Sequence, residues 1–384
     1  MSSELAAFRL GDVRGVYPDD IDESFAIGFA HAFAERFGLH GQVATGRDMR
    51  ESSPALQGAL NEGLRQAGLD VVDLGLCTTE LGYFASTRGR FGATIVVTAS
   101  HNAARYNGFK CVLTDGAAVT FESGLNDVRE LMRSGFRRGG AMGSLTEEDL
   151  HPEYIGFLET CFDIDALRAR SIALNGLNGT AATLADSLAT RFGLPVTWFR
   201  QQPGPIPREG ADPANPRLVA QMQTFMAGGG FDLGVAWDGD CDRCVFYDGD
   251  GNLMPTYYMV GLLAETFLSS SPGAAVVFDT KLQWNTLEII GRLGGVAVPS
   301  ETGHAFMKRH MGQTRAIYGG ELSSHHYFGD FFGCDSGMFA WLKLVELLAS
   351  AGESLGSLVA DRRAQICCTP EISLALTDAG AAFA

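Results

Sequence analysis

The chain has no excess of basic residues and no long hydrophobic run. Its 384 residues hold 29 Lys and Arg against 45 Asp and Glu, a formal net charge of −16. That shortage of positive charge argues against nucleic acid or an anionic membrane surface as partner. An anionic substrate would need a basic pocket set locally in an acidic protein. No segment approaches a membrane span of about 20 apolar residues; even Val260-Gly-Leu-Leu-Ala264 is cut short by Glu265. The opening Met1-Ser-Ser-Glu-Leu-Ala-Ala7 lacks the basic and apolar regions of a signal peptide. No Walker A pattern occurs. The eight cysteines are scattered through apolar surroundings, which predicts reduced thiols in a cytoplasmic protein.

Apolar residues make up 46% of the chain, enough for substantial cores, and its length predicts two to four domains. Strand and helix patterns alternate. Phe25, Phe29, Phe33 and Phe37 recur every four residues and give one apolar helix face. Val43–Thr45 reads as a strand, Ser53 as an N-cap with Pro54 at the first helical position, and Val71–Leu74 as the next strand. Phe91–Val97 is apolar and β-branched, a buried parallel strand. The pattern restarts at Ser171–Leu174 and again at Ala274–Phe278, with Phe231–Trp237 closing the second unit and a long helix over Met338–Leu348 in the third. The expected fold class is therefore α/β, with doubly wound units in succession. Ile372, Leu374 and Leu376 alternate as in a strand that opens a further unit.

Three loops carry the chemistry. Thr98-Ala-Ser-His-Asn102 follows the buried strand and leaves the Ser100 hydroxyl at the carboxyl edge of a sheet, where open α/β sheets bind ligands. Asp238-Gly-Asp-Cys-Asp-Arg243 follows the strand ending at Trp237. Its carboxylates at i, i+2 and i+4 in a glycine-bent loop converge on one hard cation, Mg²⁺ or Ca²⁺ rather than zinc. An EF-hand is excluded, because Arg243 and Gly249 stand where Gly and Glu are required. In Gly320-Glu-Leu-Ser-Ser-His325, the alternating Glu321, Ser323 and His325 offer an acceptor, a hydroxyl and an imidazole on one side of an extended loop, an array suited to sugar hydroxyls. Arg9, Arg14, Arg47, Lys110 and Lys281 lie near strand ends, and His304 opens a helix, as phosphate binding requires. Gly352-Glu-Ser-Leu-Gly356 follows a helix and is no nucleophile elbow. Cys241-Asp-Arg-Cys244 overlaps the acidic loop, which argues against a redox pair.

Together these segments resemble the α-D-phosphohexomutase family, in particular its bacterial phosphomannomutase branch, from Phe8 to about Thr377. The resemblance rests on Thr98–Asn102 with Tyr106-Asn-Gly-Phe-Lys110, Asp238–Arg243, Thr302-Gly-His304 and Gly320–His325, in that order. Phe8–Gly15, Gly46–Pro54 and Gly333-Cys-Asp-Ser-Gly337 support it. It implies three phosphohexomutase-type α/β domains with mixed sheets at residues 1–148, 149–252 and 253–365, and a short remnant of a fourth, α+β domain at 366–384. It implies that Ser100 is carried as a phosphoserine, and that Asp238, Asp240 and Asp242 hold Mg²⁺ with the serine phosphate supplying a further oxygen. Arg14 and Lys110 would spread the charge of the phosphoryl group, with His325 moving protons and His101 supporting the loop. Arg243, Lys281, His304, Glu321 and Ser323 would bind the substrate. The implied reaction interconverts mannose 6-phosphate and mannose 1-phosphate through a hexose 1,6-bisphosphate.

The sequence departs from the family pattern at Gly11, where a tyrosine is usual, at Ala103, where a proline is usual, and at Cys241. An Arg-x-Ser-Asn/Gly-Thr-Glu loop, which in the family grips the non-reacting phosphate, is not found. The alternative readings are a phosphoglucomutase or dual-specificity mutase, and a sugar-phosphate-binding pseudoenzyme. The expected partners are hexose phosphates, for a monomer or weak homodimer.

Overall fold

In the computed structural model, residues 6–136 and 141–369 are described. They form three α/β units, each built on its own mixed sheet. The first sheet contains β1 (Val13–Val16), β2 (Gln42–Arg47), β3 (Asp70–Leu76), β4 (Ala93–Val97), β5 (Tyr106–Leu113) and β6 (Leu145–Glu147), in the order β1-β5-β4-β2-β3-β6. The second contains β7 (Ile172–Asn175), β8 (Val196–Arg200), β9 (Leu233–Trp237) and β10 (Cys244–Tyr247), in the order β10-β9-β7-β8. The third contains β11 (Ala275–Asp279), β12 (Val296–Ser300), β13 (Tyr318–Gly320), β14 (His326–Phe328) and β15 (Cys334–Asp335), in the order β12-β11-β13-β14-β15.

The sheets are mixed: one side of each is parallel out to its edge strand, β6, β8 or β12, and the other side is antiparallel. β4, β9 and β13 each run parallel to one neighbour and are followed by a strand that turns back antiparallel: β5, β10 and β14. The three motif loops are these three turns. Each unit therefore presents its loop at the same place, the carboxyl end of an interior strand.

The phenylalanine repeat forms the helix Glu23–Phe37, whose N-terminus is capped by Asp22 accepting from Phe25 N at 2.7 Å. Phe29 of this helix stacks on Phe109 of β5 at 4.9 Å. β1 can lie beside β5 because residue 108 is glycine: a Cβ there would stand 1.9 Å from the Val13 carbonyl oxygen. Ser53 does not cap the helix Ser53–Gln66; Ser52 is the cap residue, and the Ser53 hydroxyl donates to Asp48 Oδ1 at 2.5 Å instead. The run Ile372 to Leu376 lies outside the described residues.

One apolar core joins the units. It runs from Leu81 and Phe84 on the helix Thr79–Ser86 through Tyr154 to Trp237 and Trp341. Trp237 of β9 meets Trp341 of the helix Gly337–Ala351 edge to face at 5.4 Å. Among the described residues no helix is long and apolar enough to cross a membrane.

Candidate active site

Ser100 sits on the turn after β4 at φ +49°, in the left-handed region, and is 2% exposed. Its N–H donates to Thr98 Oγ1 at 3.0 Å, and its hydroxyl donates to Asp238 Oδ2 at 2.7 Å. His101 Nδ1 lies 3.3 Å from the same hydroxyl. Burial, with Arg243 and Arg14 nearby, lowers the His101 imidazole to about 3, so it is neutral.

Arg50 holds this turn in place, a role that spacing alone did not suggest. Nη2 donates to the carbonyls of Ser100 and Asn102 at 2.8 Å each. Nη1 donates to those of Ala103 and Tyr106 at 2.8 and 2.9 Å, and Nε donates to Asp48 Oδ2 at 2.9 Å. All five guanidinium N–H groups are thereby used, in a pair whose side chains are fully buried. Asp48 also accepts from Ser53 Oγ and from Thr98 Oγ1, so the turn and its anchor form one closed network.

The Asp238, Asp240 and Asp242 carboxylates each offer one oxygen, all within 4.8 Å of one another, and all three are buried. Lys110 projects from β5, and its ammonium donates to Asp240 Oδ2 at 2.8 Å and to Asp242 Oδ2. Oδ1 of Asp240 is buried without a hydrogen-bond partner, and Oδ1 of Asp242 faces only the His325 ring. Burial pushes the Asp238 carboxyl well above its ordinary value, reinforced by Asp242 and Asp240. Against equal burial, Lys110 and His325 hold Asp242 well below its own. A cluster of oxygen donors with one oxygen left over and a second facing only an imidazole suits a hard divalent cation.

The third loop is a turn rather than extended. Ser324 adopts φ +69° and its N–H donates to the Glu321 carbonyl at 3.1 Å, which folds His325 back over Glu321. His325 places Nε2 3.4 Å from Asp242 Oδ1 and Nδ1 2.8 Å from Ser323 Oγ and 3.2 Å from Glu321 Oε2. Burial opposes protonation of this imidazole, but Asp242 and Glu321 raise it to about 9. Glu321 is engaged within the protein. Oε1 accepts from Gly303 N and Oε2 from the Tyr327 hydroxyl, both at 2.6 Å, and these contacts with His325 bring it down to about 2 despite burial.

A cleft of about 340 Å³ opens above Ser100. It brings Arg14, Lys110, Arg243, His304, Glu321, Ser323 and His325 together with Ser100 and Asp242, while Asp238 and Asp240 are buried and contact Ser100 and Lys110. Arg14 donates to Asn102 Oδ1 at 2.9 Å and pairs with Asp12. A Cβ on Gly11 would stand 2.6 Å from His304 Nε2, so the missing side chain is the seat of that imidazole. Lys281 is not part of the cleft lining. It is exposed on the 3₁₀ turn Thr280–Leu282, and Asp279, which caps that turn, faces the site loops, accepting from Thr302 Oγ1 and Leu322 N. Cys241 and Cys244 are buried thiols raised by burial, the opposite of a reactive redox pair.

Residues 6–135, 152–251 and 255–366 match the family descriptions phosphoglucomutase/phosphomannomutase, alpha/beta/alpha domains I, II and III respectively. A phosphohexose mutase of Xanthomonas campestris pv. campestris is 38% identical over 385 residues, covering 99% of this chain and 85% of that protein. A phosphomannomutase of Escherichia coli is 39% identical over 396 residues, covering 100% of this chain and 86% of that protein. The crystal structure of a phosphoglucomutase/phosphomannomutase family protein from Burkholderia thailandensis superposes with a TM-score of 0.86 at 31% identity, over 93% of this chain and 79% of that one. With its three units, its serine turn and its carboxylate cluster, the chain belongs to the phosphoglucomutase/phosphomannomutase family of enzymes.

Proposed function

We propose that the chain interconverts mannose 6-phosphate and mannose 1-phosphate by carrying a phosphoryl group on Ser100. The observation that carries this reading is the Ser100 hydroxyl, 2.7 Å from Asp238 Oδ2 at the edge of a carboxylate cluster sized for one cation. The all-oxygen donor set and the unpartnered Asp240 oxygen fit Mg²⁺, which Asp238, Asp240, Asp242 and Ser100 would hold. When bound, Mg²⁺ supplies positive charge that offsets the negative charge of the phosphoryl group in transfer.

From phosphorylated Ser100, the free hydroxyl of the hexose phosphate attacks phosphorus as the P–Oγ bond breaks. Net, one proton passes from the sugar hydroxyl to Ser100 Oγ, which ends as the hydroxyl seen here. His325 is the group placed to exchange this proton on the sugar side; because Asp242 and Glu321 favour its imidazolium form, the ring gives up its own proton before it takes the sugar's, and returns that proton in the reverse step. The resulting hexose 1,6-bisphosphate turns around and gives its other phosphoryl group back to Ser100. Arg14 and Lys110 stabilise the transferring charge from positions fixed by β1 and β5. Arg243, His304 and Ser323 face the sugar, while Glu321 acts by holding His325 and the Gly303 amide.

Incubation with a ³²P-labelled hexose 1,6-bisphosphate is expected to place label on Ser100 and none on a Ser100→Ala variant. Absence of label on the wild-type chain overturns the reading. The Burkholderia structure's description as a phosphoglucomutase/phosphomannomutase family protein makes glucose phosphates the natural comparison. Equal kcat/KM for the two sugars would replace the mannose assignment by a dual one.

A further inference from the structure

Asp240 is held from outside the metal loop. Its Oδ2 is within reach of three donors: Thr79 Oγ1 at 2.7 Å, Lys110 Nζ at 2.8 Å and Thr98 Oγ1 at 3.2 Å. Thr98 has a single hydroxyl proton and a nearer acceptor, Asp48 Oδ2, at 2.9 Å. Lys110 divides its ammonium between Asp240 and Asp242. That leaves Thr79 as the dedicated donor among the described residues. Thr79 grips the same residue a second time, its N–H donating to the Asp240 carbonyl at 2.9 Å.

Both partners are completely buried. Thr79 opens the helix Thr79–Ser86, whose Leu81 and Phe84 are set in the core shared by all three units. The grip is therefore rigid, and it comes from the first unit onto a loop of the second. With Oδ2 fixed by the hydroxyl, the carboxylate cannot rotate, and the unpartnered Oδ1 stays available to the cluster formed with Asp238 and Asp242.

We propose that Thr79 is a positioning residue for the cation site, orienting Asp240 so that one defined oxygen is offered to a divalent metal. The proposal rests on the metal reading given above. Groups that orient ligands in this way typically set metal affinity by about ten- to hundred-fold.

The test is titration of the full chain with Mn²⁺, followed by the electron paramagnetic resonance of the free ion, and with Mg²⁺ by calorimetry. Thr79→Val keeps the shape and removes the donor; Thr79→Ser keeps the donor. Thr79→Val is expected to weaken binding by about ten- to hundred-fold, with Thr79→Ser within a few-fold of wild type. Wild-type affinity in Thr79→Val overturns the proposal, and so does equal loss in both variants, which would mark packing rather than the hydroxyl as the cause. If circular dichroism shows Thr79→Val to be misfolded, Thr79→Cys takes its place, since a thiol donates only weakly, and the same outcomes decide. Failure of the wild-type chain to bind either metal overturns the metal reading itself, a result distinct from an effect confined to the variants.

Discussion

Arg50→Lys is the substitution that most directly tests whether the serine turn is held by its anchor. The guanidinium makes four hydrogen bonds to carbonyls of the turn and one to Asp48, at 2.8 to 2.9 Å. A lysine keeps the positive charge beside Asp48 but has three donors on one atom, so at least two of the five bonds are lost. At about 1.5–3 kcal/mol for a bond involving a charged group, the expected loss of stability is about 3–6 kcal/mol. The lost bonds free carbonyls of the residues that flank the nucleophile. A displacement of about 1 Å at the reacting atom costs on the order of 10²-fold in rate. Urea unfolding should show the lower stability. Single-turnover transfer from labelled hexose 1,6-bisphosphate should show slower uptake by Ser100, with metal affinity changed far less. Label uptake at the wild-type rate in a stably folded Arg50→Lys protein would refute the claim that this network sets the geometry of the turn.

Glu80 predicts a pH dependence. Its carboxyl is buried, Oε2 accepts from Ser336 Oγ at 2.5 Å and from Met338 N at 3.2 Å, Oε1 has no partner, and burial pushes the group up to about 8. Because the folded state binds this proton more tightly than the unfolded state, stability should fall as pH rises from about 4.5 to about 8. Glu80→Gln should remove that part of the slope, as urea unfolding at pH 6 and pH 8.5 would reveal; an unchanged slope would refute it. Gly108→Ala places a methyl 1.9 Å from the Val13 carbonyl oxygen and should separate β1 from β5, lowering stability and, through Arg14, turnover; an unaltered melting curve would contradict the packing. Gly11→Ala should displace His304 and raise KM more than it lowers kcat, and the double variant with His304→Ala should show no added effect of the methyl.

The sequence made the interior strands legible because they are apolar, β-branched runs that end in polar loops. Ser100, the three aspartates and the Glu321 turn were found by that rule. The returning strands β5, β10 and β14 were not, since Asn107 and Gly108 interrupt the apolar pattern of β5, while β10 and β14 are only four and three residues long. The anchors were hidden for a different reason. Arg50 binds mostly backbone carbonyls, which leave no trace in residue identity, and Thr79 finds Asp240 across 161 positions of sequence. Lys281 was placed at the substrate by its position after a strand, but the 3₁₀ turn capped by Asp279 keeps it outside the cleft lining.

Each of the three loops turns through a non-glycine residue in the left-handed region: Ser100 at φ +49°, Cys241 at +71° and Ser324 at +69°. Such residues cost on the order of 1–3 kcal/mol apiece and persist only where their surroundings over-determine them. This divides what a protein engineer can change. At positions 241 and 324 glycine would relieve the backbone, but it would also give up a core thiol at Cys241 and the hydroxyl contact of Ser324 with Thr256 at 2.7 Å, so the balance is one that stability measurements can decide. Position 100 is closed to that exchange, because the residue under tension there also carries the reactive oxygen. Thermostability in this scaffold is therefore better sought away from the serine turn.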